Sequence, residues 1–234
     1  MVSSLENLKE EQKYLNVTEL KMKKIEYKIA KEFIEKHHYS HSCPKITLAL
    51  GFYYKDQLAT VIVYGQPSGR NLAKSIWDGG NEKECWELLR LFSFDWCPKN
   101  TESFCIGQSF KYLREYHPEI KVLVSYADSN YGHCGYIYQA TNWIYTGIGS
   151  NERTLFIDGN RVHRRDLYDK YGTSSLTFLK EKFGNRFTYS EKNPKFRYVY
   201  ILGNKKTKKE ILEKLKYNQL PYPKINFGNL TKAN

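Results

Sequence analysis

Three histidines lie within five residues of this chain, at His37, His38 and His41, and Tyr39 directly follows the second. Imidazole can take up or release a proton near neutral pH, and it also binds metal ions. Histidine also occurs at helix ends because it complements the helix dipole and caps carbonyl groups. A helix is predicted to end here, so catalysis, metal binding and capping all stay open for this segment.

A second polar group follows a run that predicts a buried strand, 122–127, and ends it with Ser125-Tyr126-Ala127-Asp128. In open α/β sheets, active residues collect just outside the carboxyl ends of the strands. A carboxylate there can accept a proton, hold a metal ion or cap the next helix. Ten residues later, a predicted short helix can turn Tyr138 back towards the same crevice, as a general acid or as a packed aromatic ring.

The segment 98–103, with the sequence PKNTES, connects a predicted strand to a predicted helix. The backbone N–H groups at such a helix start form an anion site that suits a pyrophosphate. No Walker or GxGxxG pattern and no nucleophile elbow appear in the chain, so phosphoryl transfer, hydride transfer and hydrolysis have no support. The five cysteines are an odd number in a chain without a secretory signal, which favours reduced thiols. They form no CxxC pair, which disfavours a zinc site.

Hydrophobic periodicity predicts the elements that position these groups. The middle of the chain is predicted to contain, in order, a helix within 22–37, a hairpin of strands 46–52 and 58–64, a loop over 67–80, a strand at 88–94, a helix from Asn100 or Thr101 to 117, the strand 122–127, a helix at 133–141 and a strand at 143–148. A ribbon of 155–157 and 161–163, a helix at 174–183, a strand at 196–202 and a basic helix at 207–216 follow. This alternation predicts a mixed α/β sheet in one domain, 1–234, with its core over 20–150 and a basic extension over 151–234.

The positive charge is concentrated in the last third of the chain. Lysine and arginine number 37 against 25 aspartates and glutamates, a net charge of +12, and the range Arg153–Lys216 carries 17 basic and 7 acidic residues, or +10 of that total. Such an excess is typical of a protein that binds a phosphate backbone, although it also suits a solvated surface. Four residues are predicted to bind DNA: Arg161, Arg164, Arg165 and Lys170. The three arginines are expected to project from the tip of the ribbon. In the opposing interpretation, Arg164 or Arg165 pairs with Asp166 or Asp169.

Several of these segments resemble the Mom family of phage DNA-modification enzymes. They are His38-Tyr39-Ser40, the run 87–91, Asn100 to Ser103, Ser125 to Asp128, Gly132-His133 and the run 137–143. Their order and spacing make the resemblance specific; it covers roughly residues 35–175 and, more loosely, the strand 197–202. Mom proteins are similar in fold to Gcn5-related N-acetyltransferases. The expected fold class is therefore α/β, a single mixed-sheet domain of that type with a basic C-terminal elaboration.

The resemblance implies an enzyme that uses acetyl-CoA to add a carbamoylmethyl, or acetamido-type, group to adenine N6 in duplex DNA and so protects phage DNA from restriction. It assigns four residues to a catalytic group that would also bind iron: His38, Tyr39, Asp128 and Tyr138. It assigns four to the cofactor: Arg90, Asn100, Ser103 and Gly107. The phosphate loop departs from the acetyltransferase pattern, because Gly107 alone remains of its glycine-rich signature.

Adenine N6 lies in the base pair, so such an enzyme is expected to flip the base against aromatic rings. Tyr39, Tyr131 and Trp143 are candidates, and each of them could equally be a core residue. Two other functions fit the sequence: N-acetylation of a protein or small amine, and DNA binding by an inactive protein of the same fold. The chain has no apolar run of membrane-spanning length and no secretory signal, which predicts the cytoplasm of a phage or prophage host. The DNA target, the metal and the oligomeric state, a homodimer included, stay open.

Overall fold

The computed structural model describes residues 15–69, 71–149, 153–191, 193 and 195–224. These residues form two compact units. The first unit takes in 15–126, 135–147 and 197–223, and the second takes in 127–134, 148–196 and Lys224. The single domain predicted from the sequence, with its core over 20–150, stays a prediction. No helix in the described ranges is long and apolar enough to cross a membrane.

Ten strands are described: β1 (Lys21–Lys24), β2 (Leu48–Tyr54), β3 (Gln57–Gly65), β4 (Cys85–Ser93), β5 (Val122–Ala127), β6 (Ile144–Ile148), β7 (Arg153–Ile157), β8 (Asn160–Val162), β9 (Phe187–Glu191) and β10 (Phe196–Ile201). The α-helices are α1 (Tyr27–His37), α2 (Leu72–Ile76), α3 (Thr101–Tyr116), α4 (Tyr136–Gln139), α5 (Arg164–Tyr171), α6 (Leu176–Phe183) and α7 (Lys205–Glu213).

A seven-stranded sheet builds the first unit, in the order β1-β2-β3-β4-β5-β10-β6. The strands β1 to β4 pair antiparallel in succession. The next pair, β4 and β5, is parallel, and α3 makes the connection between them. A parallel pair needs a crossover of this kind, whereas the hairpin of β2 and β3 closes through a two-residue turn. The predicted mixed α/β sheet is confirmed.

The helices of the first unit cover the sheet with small and branched apolar side chains. Ala30 and Ile34, one turn apart on α1, pack on Val61 and Val63 of β3. Elsewhere, α2 and α7 pack on β5 in the same way, through a second cluster of buried residues. Because the strands are buried beneath helices, their sequences are nearly continuous apolar runs, which is why β2, β3 and β5 were predictable.

The second unit contains a three-stranded antiparallel sheet in the order β8-β7-β9. Its core brings together one side chain from each of β7, α5, α6 and β9: Leu155, Leu167, Leu179 and Phe187. The turn between β7 and β8 lies at Asp158 and Gly159, with φ of 51° and 75°. Positive φ at both positions is the geometry that two-residue hairpin turns require, and aspartate and glycine tolerate it.

The structure differs from the sequence prediction in a few elements. The first helix begins at Tyr27 rather than near Met22, because Lys21–Lys24 forms β1 and pairs with β2. The predicted loop 67–80 contains α2, and the helix predicted at 133–141 is reduced to α4. Two elements, β9 and α5, were not predicted, since neither has enough apolar residues to show a period.

Candidate active site

The site centres on the place where β4 separates from β5. The parallel pairing runs through Glu87 and Val124, the last of three pairs. Directly afterwards β4 carries a β-bulge, because Tyr64 of β3 pairs with Leu88 whereas the neighbouring Val63 pairs with Arg90, which leaves Leu89 as the extra residue. A bulge bends its strand and increases the local twist. The two strands therefore diverge beyond this point.

A side chain bridges the diverging strands. The buried Ser125 hydroxyl of β5 lies 2.8 Å from the Leu88 carbonyl of β4 and 2.7 Å from the Tyr138 hydroxyl of α4. Ser125 has one hydrogen to donate, and a carbonyl can only accept. When Ser125 donates to the Leu88 carbonyl, the Tyr138 hydroxyl donates its hydrogen to the Ser125 oxygen. The phenol is thereby fixed at the gap between β4 and β5.

Tyr138 keeps its proton at neutral pH. Burial raises the pKa of Tyr138 to about 12; the Ser125 hydrogen bond opposes this rise, Tyr39 and Glu87 add to it, and Arg90 opposes it. A buried phenolate would lose its hydration, so the neutral form is strongly favoured. Tyr138 is therefore a hydrogen-bond donor that can act as a general acid.

His38 lies directly after α1, and its backbone N–H caps the helix by donating to the Ile34 carbonyl at 2.9 Å. The side chain is 5% exposed. Its Nδ1 accepts the backbone N–H of Ser40 at 3.1 Å and lies 2.8 Å from the Ser40 hydroxyl. The ring of Tyr39 tilts against the imidazole with 4.1 Å between centroids, and Tyr39 is 41% exposed. His38 is thus buried beneath an accessible aromatic ring.

Arg90, the residue after the bulge, contacts the segment that follows α1. Its Nε donates to the Ser40 hydroxyl at 3.1 Å and to the Ser42 carbonyl at 3.2 Å. Its Nη1 donates to the carbonyl of Leu89 at 2.6 Å. The arginine that the sequence predicted beside CoA therefore holds the segment on which His38 lies, and its role toward a cofactor stays a prediction.

Asp128 belongs to the second unit and caps the 3-10 helix Ser129–Tyr131. Its Oδ1 accepts the backbone N–H of Asn130 at 3.0 Å and the side-chain amide of the same residue at 2.8 Å. The capping role that the sequence left open is therefore present. Both contacts from Asn130 are made to Oδ1 of Asp128. The catalytic role of Asp128 stays a prediction.

The predicted cofactor residues of α3 lie at its start and in its second turn. Asn100 adopts φ 71° and makes no side-chain bond to the helix, while the Ser103 hydroxyl donates to the Asn100 carbonyl at 2.9 Å. A Cβ at Gly107 would meet no atom within 4 Å, so packing does not explain this glycine. A first turn without a side-chain cap suits a phosphate-bearing group, because its N–H groups still need an acceptor.

Of the four residues predicted to bind iron, Asp128 belongs to the second unit, and His38, Tyr39 and Tyr138 belong to the first. Tyr138 is a neutral phenol bonded to Ser125, and Nδ1 of His38 already accepts a hydrogen bond from Ser40. No group of three or more histidine, cysteine or acidic side chains that could hold a metal ion is present in the part of the chain that the structure describes. The structure therefore gives the predicted iron no support, and the assignment of these four residues to a metal stays a prediction.

Comparison with known proteins places the chain in a family. Residues 19–224 match the family model for the Mom protein family. The chain belongs to the Mom family. It is 29% identical over 209 residues, 88% of this chain and 84% of the relative, to the methylcarbamoylase Mom of Escherichia phage Mu. The resemblance inferred from the sequence motifs is confirmed.

Three of the solved structures that are similar to this Mom-family chain are acetyltransferases. The IAA acetyltransferase of Bacillus cereus ATCC 14579 is 10% identical with a TM-score of 0.44, over 78% of this chain and 99% of that one. A GNAT-family acetyltransferase of Streptococcus pneumoniae is 9% identical with a TM-score of 0.43, over 79% and 99%. The N-acetyltransferase of Staphylococcus aureus Mu50 is 13% identical with a TM-score of 0.42, over 78% and 97%.

The four predicted DNA-binding residues of the Mom-family chain are all exposed, but two do not lie where the sequence placed them. Arg161 is on β8, whereas Arg164 and Arg165 are the first residues of α5 and so do not project from a ribbon tip. The helix begins there because His163 caps it, its Nδ1 accepting the Arg165 N–H at 3.1 Å. Lys170 lies near the end of the same helix.

The three aromatic residues considered for base stacking differ in solvent exposure. Trp143 is fully buried against Phe110, Tyr138 and Tyr200, so of the two roles that the sequence left open it has the core role and cannot stack on a base. Its large indole is instead part of the core behind Tyr138. Tyr39 and Tyr131 are 41% and 54% exposed, so both rings are accessible to a nucleobase.

Ser125, Glu87 and Ser40 have roles in the site that the sequence did not assign. Ser125 did carry a signal, because it is a polar residue in an otherwise apolar strand, where a hydroxyl needs a buried partner. Glu87 is the last β4 residue paired with β5, and its charge raises the pKa of Tyr138 and of Tyr126. Neither Glu87 nor Ser40 could be singled out without the positions of its neighbours.

Proposed function

We propose that this Mom-family protein is a transferase that modifies adenine in duplex DNA, adding a carbamoylmethyl or acetamido-type group at N6. The observation that carries the proposal is the match of residues 19–224 to the Mom family. The phage Mu relative, which is named a methylcarbamoylase, supports the type of group transferred. Protection of phage DNA from restriction, inside the host cell, follows as the purpose of such a modification.

The side chains around the gap between β4 and β5 suit the chemistry of this reaction. Adenine N6 is a weak nucleophile within a base pair, so the base has to leave the duplex and meet a stacking surface. The exposed ring of Tyr39 can supply that surface. Tyr138 holds a proton at its hydroxyl oxygen that it can give to a more basic atom formed during transfer. His38, buried beneath the ring of Tyr39, adds an imidazole directly below that surface.

Acetyl-CoA is the proposed cofactor. Its pyrophosphate would be held by the backbone N–H groups at the start of α3, beside Asn100 and Ser103. The absence of a side-chain cap at Asn100 supports this assignment. The fully buried Thr101 donates its hydroxyl to the Pro98 carbonyl, which keeps the loop before the helix rigid.

The charge of α7 supports a polyanionic partner in addition to the arginines of α5. All four lysines of this helix lie in its first five residues and are exposed: Lys205, Lys206, Lys208 and Lys209. Positive charge at a helix N-terminus opposes the helix dipole and costs roughly 0.3–1 kcal/mol per residue at exposed sites. The acidic residues, Glu210 and Glu213, lie towards the other end, so the whole arrangement is the reverse of a stabilising one. Phosphate binding would offset this cost, so the charge pattern of α7 supports a polyanionic partner.

The test is expression of the protein in a bacterial host, followed by mass spectrometry of nucleosides from the host DNA. We expect a new deoxyadenosine adduct whose mass corresponds to a carbamoylmethyl or acetamido-type group. Unmodified deoxyadenosine with acetylated host amines would instead indicate an ordinary N-acetyltransferase. Duplex binding without any adduct and without affinity for CoA would indicate an inactive DNA-binding protein.

A further inference from the structure

We propose that Arg90 is a positioning residue that acts through Ser40 to hold His38 with Nδ1 as a hydrogen-bond acceptor and Nε2 bearing the hydrogen. The arrangement of Arg90, Ser40 and His38 is independent of the reaction, but its importance for modification rests on the proposed function. The assignment differs from that implied by the family resemblance, which put Arg90 beside the cofactor.

The guanidinium group sets the direction of the Ser40 hydroxyl. Arginine is always a donor, so the contact of 3.1 Å between Arg90 Nε and Ser40 Oγ makes this oxygen an acceptor. The single hydrogen of Ser40 then points to another partner. Nδ1 of His38 lies at 2.8 Å and the Ser42 carbonyl at 3.3 Å, and the shorter contact has the better hydrogen-bond length.

The backbone confirms that Nδ1 accepts. The backbone N–H of Ser40 points at Nδ1 over 3.1 Å, and a backbone N–H can only donate. Nδ1 therefore carries no hydrogen, and the neutral ring bears its hydrogen on Nε2. An imidazole in this state donates from Nε2, and the hydrogen bond made by one ring nitrogen determines the chemistry of the other.

The position of Arg90 explains why this contact is available. Because the bulge places Arg90 opposite Val63, which packs against α1, its side chain extends towards the segment 40–42 that follows α1. The single hydrogen of Nε is shared between the Ser40 hydroxyl and the Ser42 carbonyl, and Nη1 donates to the Leu89 carbonyl. These contacts fix the guanidinium so that it orients Ser40.

The proposal is tested by nitrogen-15 NMR of protein with labelled histidine, free of DNA and CoA, at about pH 8.5, where histidine side chains are ordinarily neutral. The His38 signals are assigned by their disappearance in His38→Gln. We expect a pyridine-type Nδ1 shifted by hydrogen bonding and a protonated Nε2. Arg90→Leu and Ser40→Ala are expected to move the Nδ1 signal towards that of a histidine that accepts fewer hydrogen bonds. Ser40→Thr, which keeps the hydroxyl, is expected to retain the signal of the native protein.

Two functional measurements separate this role from a cofactor role. We expect Arg90→Leu and Ser40→Ala to lower adenine modification by about 10- to 100-fold, as misplacement of a catalytic group does, and Ser40→Thr to restore it. Calorimetric affinity for CoA should change less than about threefold in all three variants. A hydrogen on Nδ1 of the native protein, or loss of CoA affinity in Arg90→Leu, would overturn the proposal. If the NMR result holds and no adduct forms in the native protein, the proposed function fails instead.

Discussion

The hydroxyl oxygens of Ser125 in β5 and Tyr138 in α4 lie 2.7 Å apart, and both side chains are buried. In sequence, the 3-10 helix Ser129–Tyr131 lies between the two residues. Their hydrogen bond lies at the end of the β4–β5 pairing. Ser125 also reaches the Leu88 carbonyl of β4. A single hydroxyl thus connects the two diverging strands to the phenol that we propose as the proton donor.

Replacement of Tyr138 by phenylalanine tests that proton donor. We expect Tyr138→Phe to abolish the deoxyadenosine adduct and to reduce the free energy of unfolding by only about 1 kcal/mol, because Ser125 keeps its bond to Leu88. The measurements are nucleoside mass spectrometry and urea unfolding. Tyr217→Phe is the matched control, since Tyr217 bonds the Ser75 hydroxyl at 2.9 Å in another part of the first unit. Equal activity of the two variants would remove Tyr138 from the reaction.

Asp128 can be tested without disturbing its cap. Asparagine is as good a helix cap as aspartate, and it can accept the same hydrogen bond from the Asn130 N–H. We therefore expect Asp128→Asn to retain the melting temperature of the native protein and to lose the adduct, because the carboxylate charge is gone. Asp128→Ala serves as the comparison that removes both cap and charge. Full modification by the asparagine variant would leave Asp128 with the capping role alone.

The first two residues of α5 are predicted to contact phosphate. We expect the double variant Arg164→Ala, Arg165→Ala to weaken binding to all duplexes about equally, and to flatten the salt dependence by about 0.9 for each phosphate that is no longer neutralised. Binding titrations at several salt concentrations give both quantities. In the described ranges no ion pair joins either arginine to Asp166 or Asp169, and Arg164 donates one long, exposed hydrogen bond to the Ser174 carbonyl at 3.4 Å, so we expect only a small loss of stability. A destabilised variant with native affinity and salt slope would show that these arginines are structural.

Removal of the lysine charges of α7 is expected to raise stability and to lower DNA affinity. Changing Lys205, Lys206, Lys208 and Lys209 to glutamine should raise the melting temperature slightly, because charge that opposes the helix dipole is removed. DNA affinity should fall, with a salt slope reduced by about three to four. A control variant carries glutamine in place of four exposed lysines of β1 and α1: Lys21, Lys24, Lys28 and Lys36. If both variants show the same fall in affinity, the effect is one of net charge and α7 is not a DNA-binding surface.

Alkaline pH should destabilise the fold. Burial is the main cause that raises the pKa of Tyr138 and of Tyr126 to about 12, whereas a tyrosine in the unfolded chain titrates near 10. Between these values the folded state binds more protons than the unfolded state, so the free energy of unfolding falls as pH rises from about 10 to 12. Urea unfolding at about pH 9 and pH 11.5 measures this change. Tyr138→Phe should reduce it, and an unchanged slope would contradict the shift.

The elements that the sequence predicted best have strong local signals. The strand β5 is predicted at its observed bounds, since an apolar run ends at Asp128, and α3 begins after Asn100 and stops before Pro118 as its residues require. By contrast, β1 exists because its backbone pairs with β2, and no periodicity in its lysines shows this. The helix α5 also lacks a local signal, because Leu167 is its single fully buried side chain.

The site was predictable only in part. The sequence singled out His38 and Tyr138 by type, but the group that each one bonds could not be assigned without the fold. Arg90 contacts residues about fifty positions earlier in the chain, and no local pattern reveals such a contact. The role of Trp143 stayed open in the sequence because a tryptophan beside functional residues looks the same whether it lines a site or fills the core.

The extra residue in β4 decides on which side of the sheet Arg90 lies. Cross-strand neighbours in an antiparallel pair share a face, and Arg90 lies opposite Val63, on the face that α1 covers. If Leu89 paired with Val63 in an unbroken register from Tyr64, Arg90 would lie opposite Ile62, on the reverse face. The bulge therefore works as a change of phase: one unpaired residue inverts the inward and outward alternation of the strand and brings an arginine to the end of α1.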